Sequence, residues 1–380
     1  MKILHVFPFF TIKHGGGTCD LLYKIAYAQN EAGHDVTIWT GDYNFDSELA
    51  DSLKGCNVRV FKSLMNFGFY VMPNLILTAK REIDQFDVIH LHLYRSFQNL
   101  VITHYANKLN VPFVIDAHGS VDLFVRKRML KKLFDVIIGR RLLRKASCLV
   151  AETADGVAQY LNIGMPNKKI TILSPPFSVE EFKVLPPAGS FRKKYDILDN
   201  PIVMFLGRIH HIKGLDLLLD GFHVFQRDNP DARLLIVGSD DGYENELKTR
   251  IKEYQLEDSV IFTGFIFGNE KLEALVDADV VVQTSRYEEG AWAPFEAVLC
   301  GTPIIVSDNS GAGRDVKKIN AGYLCKFGDK RDLSDKIQYV LDNTQAAKDK
   351  TLKAKTFIEQ NLSMKSRVGE YIDMYNGKWS

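Results

Sequence analysis

The sequence predicts an α/β protein of two units, each a mostly parallel sheet covered by helices on both faces, with a ligand cleft between them. Three observations lead there. The chain has 380 residues, 46% apolar and 25% charged, more than one hydrophobic core usually organises. Short apolar runs without a helical period alternate with helix-compatible stretches, and this series occurs twice. Between the two series lie Ser174-Pro175-Pro176 and Pro186-Pro187-Ala188-Gly189, which is linker chemistry. Domains are therefore expected at 1–180 and 181–380, with the last helix free to pack back on the first.

The first run, residues 3–9, follows Met1-Lys2 and superficially resembles a signal peptide, but it reaches His14 without a small-x-small cleavage site and reads as a strand. Gly15-Gly16-Gly17 then reads as a glycine loop before a helix over 18–31. Further buried-type strands fall at 36–40, 58–61, 88–93, 113–116 and 148–151. The second series has strands at 202–206, 233–237, 260–263, 280–284 and 303–307, with helices at 215–226 and 243–254 among the connections. Ligands of such sheets bind beyond the carboxyl ends of the strands.

Composition excludes several functions. The longest apolar candidate for a membrane-spanning helix, 65–79, is broken by Asn66, Pro73 and Asn74, so a helical transporter or channel is not expected. A net charge of +1 from 48 basic and 47 acidic residues argues against nucleic acid as a partner. Five cysteines without close pairing indicate neither a zinc site nor a disulfide framework, and reduced thiols suggest the cytoplasm.

One stretch is charged on its own scale. Over 126–145, Arg126, Lys127, Arg128, Lys131, Lys132, Arg140, Arg141, Arg144 and Lys145 face only Asp135, and apolar residues such as Met129, Leu130, Leu133, Ile137 and Ile138 interleave with them. Such a segment either lies peripherally on the anionic inner face of a membrane or buries its apolar stripe and leaves a solvated basic face.

Chemistry is concentrated after two strands of the second unit. Glu288 and Glu296 stand eight apart, the first at a strand mouth, the second where 295–299 opens a helix. Carboxylates so placed accept hydrogen bonds from vicinal hydroxyls, as a sugar or ribose requires; a solvated acidic loop is the plain alternative. Gly290 and Ala291 admit main-chain N–H groups close to a ligand. Arg208 and Lys213, flanked by Gly207 and Gly214 after the strand at 202–206, suit the two charges of a diphosphate. Alone, either is a surface cation. His118 ends the strand at 113–116, where a structural histidine is equally reasonable.

The chain resembles the retaining, nucleotide-sugar-dependent glycosyltransferases of family 4, which have two Rossmann-like domains in the GT-B arrangement. The resemblance rests on Gly15-Gly16-Gly17, Asp116-Ala117-His118-Gly119, Gly207-Arg208 with Lys213-Gly214, Ile236-Val237-Gly238, Phe262-Thr263-Gly264-Phe265 and the pair Glu288 and Glu296. It implies that Arg208 and Lys213 hold the donor diphosphate, that Glu296 binds the ribose, and that Glu288 with Gly290, Ala291 and Trp292 holds the transferred sugar. Gly264, Phe265 and Ile266 would lie against the base. His118 would meet the donor sugar, with Gly16 and Gly17 near the phosphate or acceptor. The implied reaction moves a hexosyl unit from a nucleoside-diphosphate sugar to a saccharide or lipid-linked acceptor. The basic segment at 126–145 suggests the synthesis of lipopolysaccharide or another envelope glycan as its setting, and with cationic side chains in place of a divalent ion no metal or other cofactor is expected. Rival readings are an epimerase or phosphorylase of the same fold and a non-catalytic nucleotide-sugar-binding module. An oxidoreductase is less well served, because Gly-x-Gly-x-x-Gly is missing and Trp39-Thr40-Gly41 replaces the expected acid.

Overall fold

The computed structural model of the protein describes residues 1–64, 70–121, 128–174, 176–288, 290 and 292–378, and of residues 12–16 and 128 the backbone alone. Two compact units form, Met1–Pro176 with Leu362–Ser380, and Phe177–Asn361. The division falls four residues before the boundary expected from the prolines, and the chain's last helix belongs to the first unit.

The first unit is built on seven strands, β1 (Lys2–Phe7), β2 (Asp35–Gly41), β3 (Asn57–Phe61), β4 (Val88–His92), β5 (Phe113–Asp116), β6 (Cys148–Ala151) and β7 (Ile170–Ile172). They lie in the order β3-β2-β1-β4-β5-β6-β7, and every neighbouring pair is parallel. Alternation along the strands separates two faces. Leu4, Val6, Ile89, Leu91 and Ile115 join the larger core, whereas Phe7, Val36 and Ile38 pack with Cys19, Leu22 and Ala26 of the helix Ile12–Glu31 on the other side.

That helix corrects an expectation. It begins at Ile12, after an extended Thr11, so Gly15, Gly16 and Gly17 lie inside its first turns instead of forming a loop. Each glycine costs about 1 kcal/mol against alanine in a helix interior, and burial of the apolar stripe beyond Thr18 offsets this. The basic segment also differs from one continuous helix. Among the described residues it runs as a helix Arg128–Phe134, a π-turn Asp135–Gly139 and a helix Arg140–Lys145. Buried Asp135 accepts two hydrogen bonds from Arg95, at 2.9 and 2.7 Å, and a Cβ on Gly139 would come within 2.1 Å of the Tyr94 hydroxyl. Arg126 and Lys127 lie outside the described residues.

The second unit has six parallel strands, β8 (Ile202–Leu206), β9 (Arg233–Val237), β10 (Val260–Gly264), β11 (Val280–Gln283), β12 (Ile304–Ser307) and β13 (Tyr323–Cys325), in the order β10-β9-β8-β11-β12-β13. The chain winds outward from β8 to β10, then returns across β8 to continue from β11. The edge strands β7 and β13 were not expected, because three residues carry no recognisable alternation. The helix Leu215–Gln226 follows Gly214 directly and buries Leu215, Leu218, Leu219 and Phe222 in the core.

Candidate functional site

The order of strands in the second unit makes β8 and β11 its switch point, where connections leave in opposite directions, and ligands of such sheets bind beyond the carboxyl ends of the strands there. The loops after these two strands are stitched together. The Thr284 hydroxyl donates to the Gly214 carbonyl at 2.8 Å, the Arg286 amide donates to the Ile212 carbonyl at 2.8 Å, and the Arg286 guanidinium grips both Asp216 oxygens, at 2.7 and 2.5 Å. Gly214 has φ +66, and a Cβ there would lie 2.0 Å from the Thr284 carbonyl oxygen, so only glycine permits this approach.

Stitching brings Lys213 to Glu288. The ammonium lies 2.8 and 2.7 Å from the two carboxylate oxygens, with the side chains 17% and 14% exposed. The Glu288 carbonyl accepts from the Gly311 amide at 2.8 Å, which fixes the loop as well as the side chain. Arg208 does not join them. Ile209 is fully buried and its amide donates to the Ser239 carbonyl. Its neighbour Arg208 pairs with Asp241 at 2.6 Å and is 64% exposed. Arg208 and Lys213, expected on one ligand, each sit in a separate ion pair here. Glu296, on the helix Trp292–Leu299, receives Lys271 at 3.0 Å.

The remaining expected residues are spread around this end of the sheet. Gly207 (φ +154) donates to the Val237 carbonyl at 2.9 Å. Gly264 has φ +71, Phe265 is exposed and stacks on Phe267 at 6.0 Å, and Ile266 is buried. A Cβ on Gly290 would meet nothing closer than 3.7 Å, so packing within this unit does not require glycine there. The Trp292 ring lies 5.3 Å from Phe177. Ala291 lies outside the described residues, and Gly16 is described in its backbone alone.

In the first unit the switch point is between β1 and β4. His118 follows β5 in a left-handed conformation, φ 46, which a histidine adopts only when its surroundings demand it. Its amide donates to Asp116 Oδ1 at 3.2 Å. The ring, 4% exposed, faces inward: Nδ1 is 2.7 Å from Glu152 Oε1, and Nε2 is 2.9 Å from His92 Nδ1. Both nitrogens have partners within this unit.

Sequence reasoning missed the neighbours of that ring. His5, His90, His92, Gln29 and Tyr375 are all buried and joined to it. One signal was available: His90 and His92 are two apart on a strand, hence on one face. His5 faces His90 in the β1–β4 register. Burial lowers the His5 pKa to about 4, against a smaller opposing effect of Gln29, and burial followed by neighbouring imidazoles holds His90 and His92 well below the ordinary value. Burial raises Asp116 to about 7, with His118 opposing and Glu152 adding.

Among the described residues, two groups have ligand atoms within 4.8 Å of one another, His5 with His90 and His92, and Asp116 with His118 and Glu152. The His90 and His92 rings stack at 4.3 Å and 17°. Lone pairs lie in the ring planes, so stacked rings do not aim them at one ion, and hydrogen bonding explains the spacing better.

Two doubly wound parallel sheets with polar groups at their switch points define a class, the two-unit α/β proteins that handle ligands at strand ends. Comparison with known proteins narrows it. A model of the Glycosyltransferase Family 4 matches residues 15–181, and a model of glycosyl transferases group 1 matches residues 189–357. Mannosylfructose-phosphate synthase of Agrobacterium fabrum is 33% identical over 45% of the chain, and the match spans 39% of that relative's length. D-inositol 3-phosphate glycosyltransferase of Jonesia denitrificans is 24% identical over 73% of the chain and 68% of its own length. Anabaena HepE, solved with UDP and glucose, superposes with a TM-score of 0.80 at 19% identity, covering 98% of this chain and all of that one. The chain belongs to the family 4 type of glycosyltransferases, and its fold is of the GT-B type.

The buried imidazoles give a stability prediction. A histidine kept neutral in the fold but free to charge when unfolded stabilises above its unfolded pKa of about 6.5, and that stability is lost as pH falls toward the folded value. By pH 5 the loss for His5 is about 2 kcal/mol, and His90 and His92 lose stability in the same direction; Asp116 opposes, since its raised pKa adds stability as pH falls below about 7. Three histidines outweigh one aspartate. Thermal unfolding is expected at lower temperature at pH 5 than at pH 7, with a smaller drop in His90→Phe; equal drops would show that His90 is charged in the fold.

Proposed function

We propose that the chain is a retaining hexosyltransferase that uses a nucleoside-diphosphate sugar and a saccharide or lipid-linked saccharide acceptor in envelope glycan synthesis, without a metal ion. The observation that carries this reading is the Lys213–Glu288 pair at the β8–β11 switch point. A nucleoside diphosphate entering there meets an ammonium whose present partner is a carboxylate. The diphosphate competes for Lys213, and Glu288 is then free to accept hydrogen bonds from sugar hydroxyls. As the bond from the anomeric carbon to the diphosphate breaks, charge grows on the leaving oxygen, and a fixed cation beside it stabilises the transition state more than the ground state. The departing phosphate takes the acceptor's proton, so no hydrolase-type carboxylate pair is required. That HepE was crystallised with UDP and with UDP-glucose supports the donor class.

Release of nucleoside diphosphate only when an acceptor is present, in excess chelator, is the test. Release without acceptor would favour an epimerase, phosphorylase or hydrolase, and restoration by added magnesium would overturn the metal-free part. Lys213→Ala is expected to lower kcat about a hundredfold, roughly 3 kcal/mol, while binding of the free nucleoside changes little. Unchanged kcat would remove Lys213 from the reaction.

A second observation supports peripheral membrane attachment through 126–145. Asp135, Leu142 and Leu143 anchor this segment inward, yet Met129 (87% exposed), Leu130, Leu133, Val136 (69% exposed) and Ile137 face outward, beside Lys131, Lys132, Arg140, Arg141 and Arg144. Apolar groups in that number beside cations suit an anionic lipid surface. The protein is expected to sediment with anionic liposomes in a salt-sensitive manner, and Met129→Ser with Leu133→Ser is expected to weaken this about tenfold. Equal partitioning of the variant would sink this use of the segment.

A further inference from the structure

A groove of about 470 Å³ lies beside the edge strand β13, lined by that strand, by the helix Gly311–Ile319 before it and by the helix Lys330–Asp342 after it. The volume falls within the range of small-molecule sites. None of the lining residues belongs to the Lys213–Glu288 or the Lys271–Glu296 pair. Arg314 and Lys317 come from the first helix, Lys326 from the residue after β13, and Lys336 from the second helix. Three parts of the chain thus deliver cations to one space.

The two acids of the groove are committed elsewhere. Asp308 Oδ1 accepts from the Phe327 amide at 3.1 Å, and Asp332 Oδ2 accepts from the Lys326 amide at 2.7 Å, so both fasten the turn that follows β13. Among the described residues, no hydrogen bond or ion pair engages the ammonium groups of Lys317, Lys326 and Lys336. Four cations and two carboxylates leave the lining with a charge of +2. Like charges gathered around a cavity repel one another, and a wall of one sign concentrates its field on whatever enters. Leu324 and the buried Cys325 add an apolar wall; burial, helped by Asp332 and Asp308, pushes the Cys325 thiol up to about 12, so this wall carries no charge.

We propose that this groove is a second anion site that binds a phosphomonoester, with the phosphate among Arg314, Lys317, Lys326 and Lys336 and the organic group against Leu324. At neutral pH a phosphomonoester carries a charge of about −1.5 to −2 and three acceptor oxygens. It matches both the net charge of the lining and the spread of its donors over three parts of the chain. A carboxylate or a phosphodiester brings one charge and leaves the lysines partly unmatched. A bare phosphate ion leaves most of the volume and the apolar wall unused. Lysine suits the task as a point charge, and the arginine adds a fork of donors. A free phosphorylated metabolite and the headgroup of phosphatidic acid offer the same chemistry. Binding here does not depend on the transfer reading above.

Isothermal titration of the full chain with glycerol 3-phosphate at low ionic strength tests the groove. Lys317→Gln with Lys336→Gln is expected to weaken binding about tenfold or more. Lys213→Ala is expected to change it less than about twofold, and so is Lys318→Gln, whose side chain does not line the groove. Lys317→Gln alone, at an exposed side chain without a partner, is expected to cost about threefold and guards against misfolding of the double variant. Sedimentation with phosphatidic acid vesicles, compared with vesicles of the diester phosphatidylglycerol, separates the two sources; it uses protein carrying Met129→Ser and Leu133→Ser, so that the basic segment contributes little. A preference for phosphatidic acid that the groove variant loses assigns a lipid headgroup, and solution binding without that preference assigns a free metabolite. No binding in either arm, binding that survives in the double variant, or an equal loss in Lys318→Gln would overturn the proposal. So would a loss confined to Lys213→Ala, which places the phosphate at the β8–β11 switch point instead.

Discussion

A parallel strand covered on both faces has no water beside it, and this constraint organises the polar groups that the strands of both units carry. Such a group must either sit beyond the strand's carboxyl end or find a partner inside. Lys213 and Glu288 take the first course. They emerge past β8 and β11, and the loops that carry them are tied by backbone and side-chain hydrogen bonds to within one ion-pair distance. The histidines of β1 and β4 take the second: His5 bonds His92 and Gln29, and His90 bonds Tyr375.

The two cations expected to act together sit in ion pairs that differ in kind. Arg208 and Asp241 meet in solvent, where attraction is screened and ordering two long side chains takes back much of the gain, so the pair contributes about 0–1 kcal/mol. Lys213 and Glu288 are mostly withdrawn from water, and removing either leaves the other poorly compensated. A pair of the second kind is held in place by its surroundings and responds to an incoming anion, because the ligand exchanges one negative partner of the lysine for another.

Membership in the family 4 glycosyltransferases accounts for the paired sheets and the strand-end residues. Three further features lie in surfaces and side chains and not in the backbone scaffold: an exposed apolar row on the basic segment, Trp292 against Phe177 beside the helix that bears Glu296, and the buried imidazoles that reach Tyr375 of the C-terminal helix.

By itself the sequence determined the elements, because alternation, apolar runs and proline breaks are local properties. Ten of the eleven expected strands differ from the observed ones by no more than one residue at either end, and β5, β6, β8 and β9 coincide; Lys213 and Glu288 were singled out from their places after strands, and Glu296 from the start of a helix. Tertiary structure decided the partners. Nothing local says that Ile209 buries and turns Arg208 toward Asp241, that three glycines continue a helix whose far stripe is packed, or that a tyrosine at position 375 bonds a glutamine at position 29. Those outcomes depend on which strands become neighbours and which face each presents, and a chain read in one dimension carries periods but not adjacency.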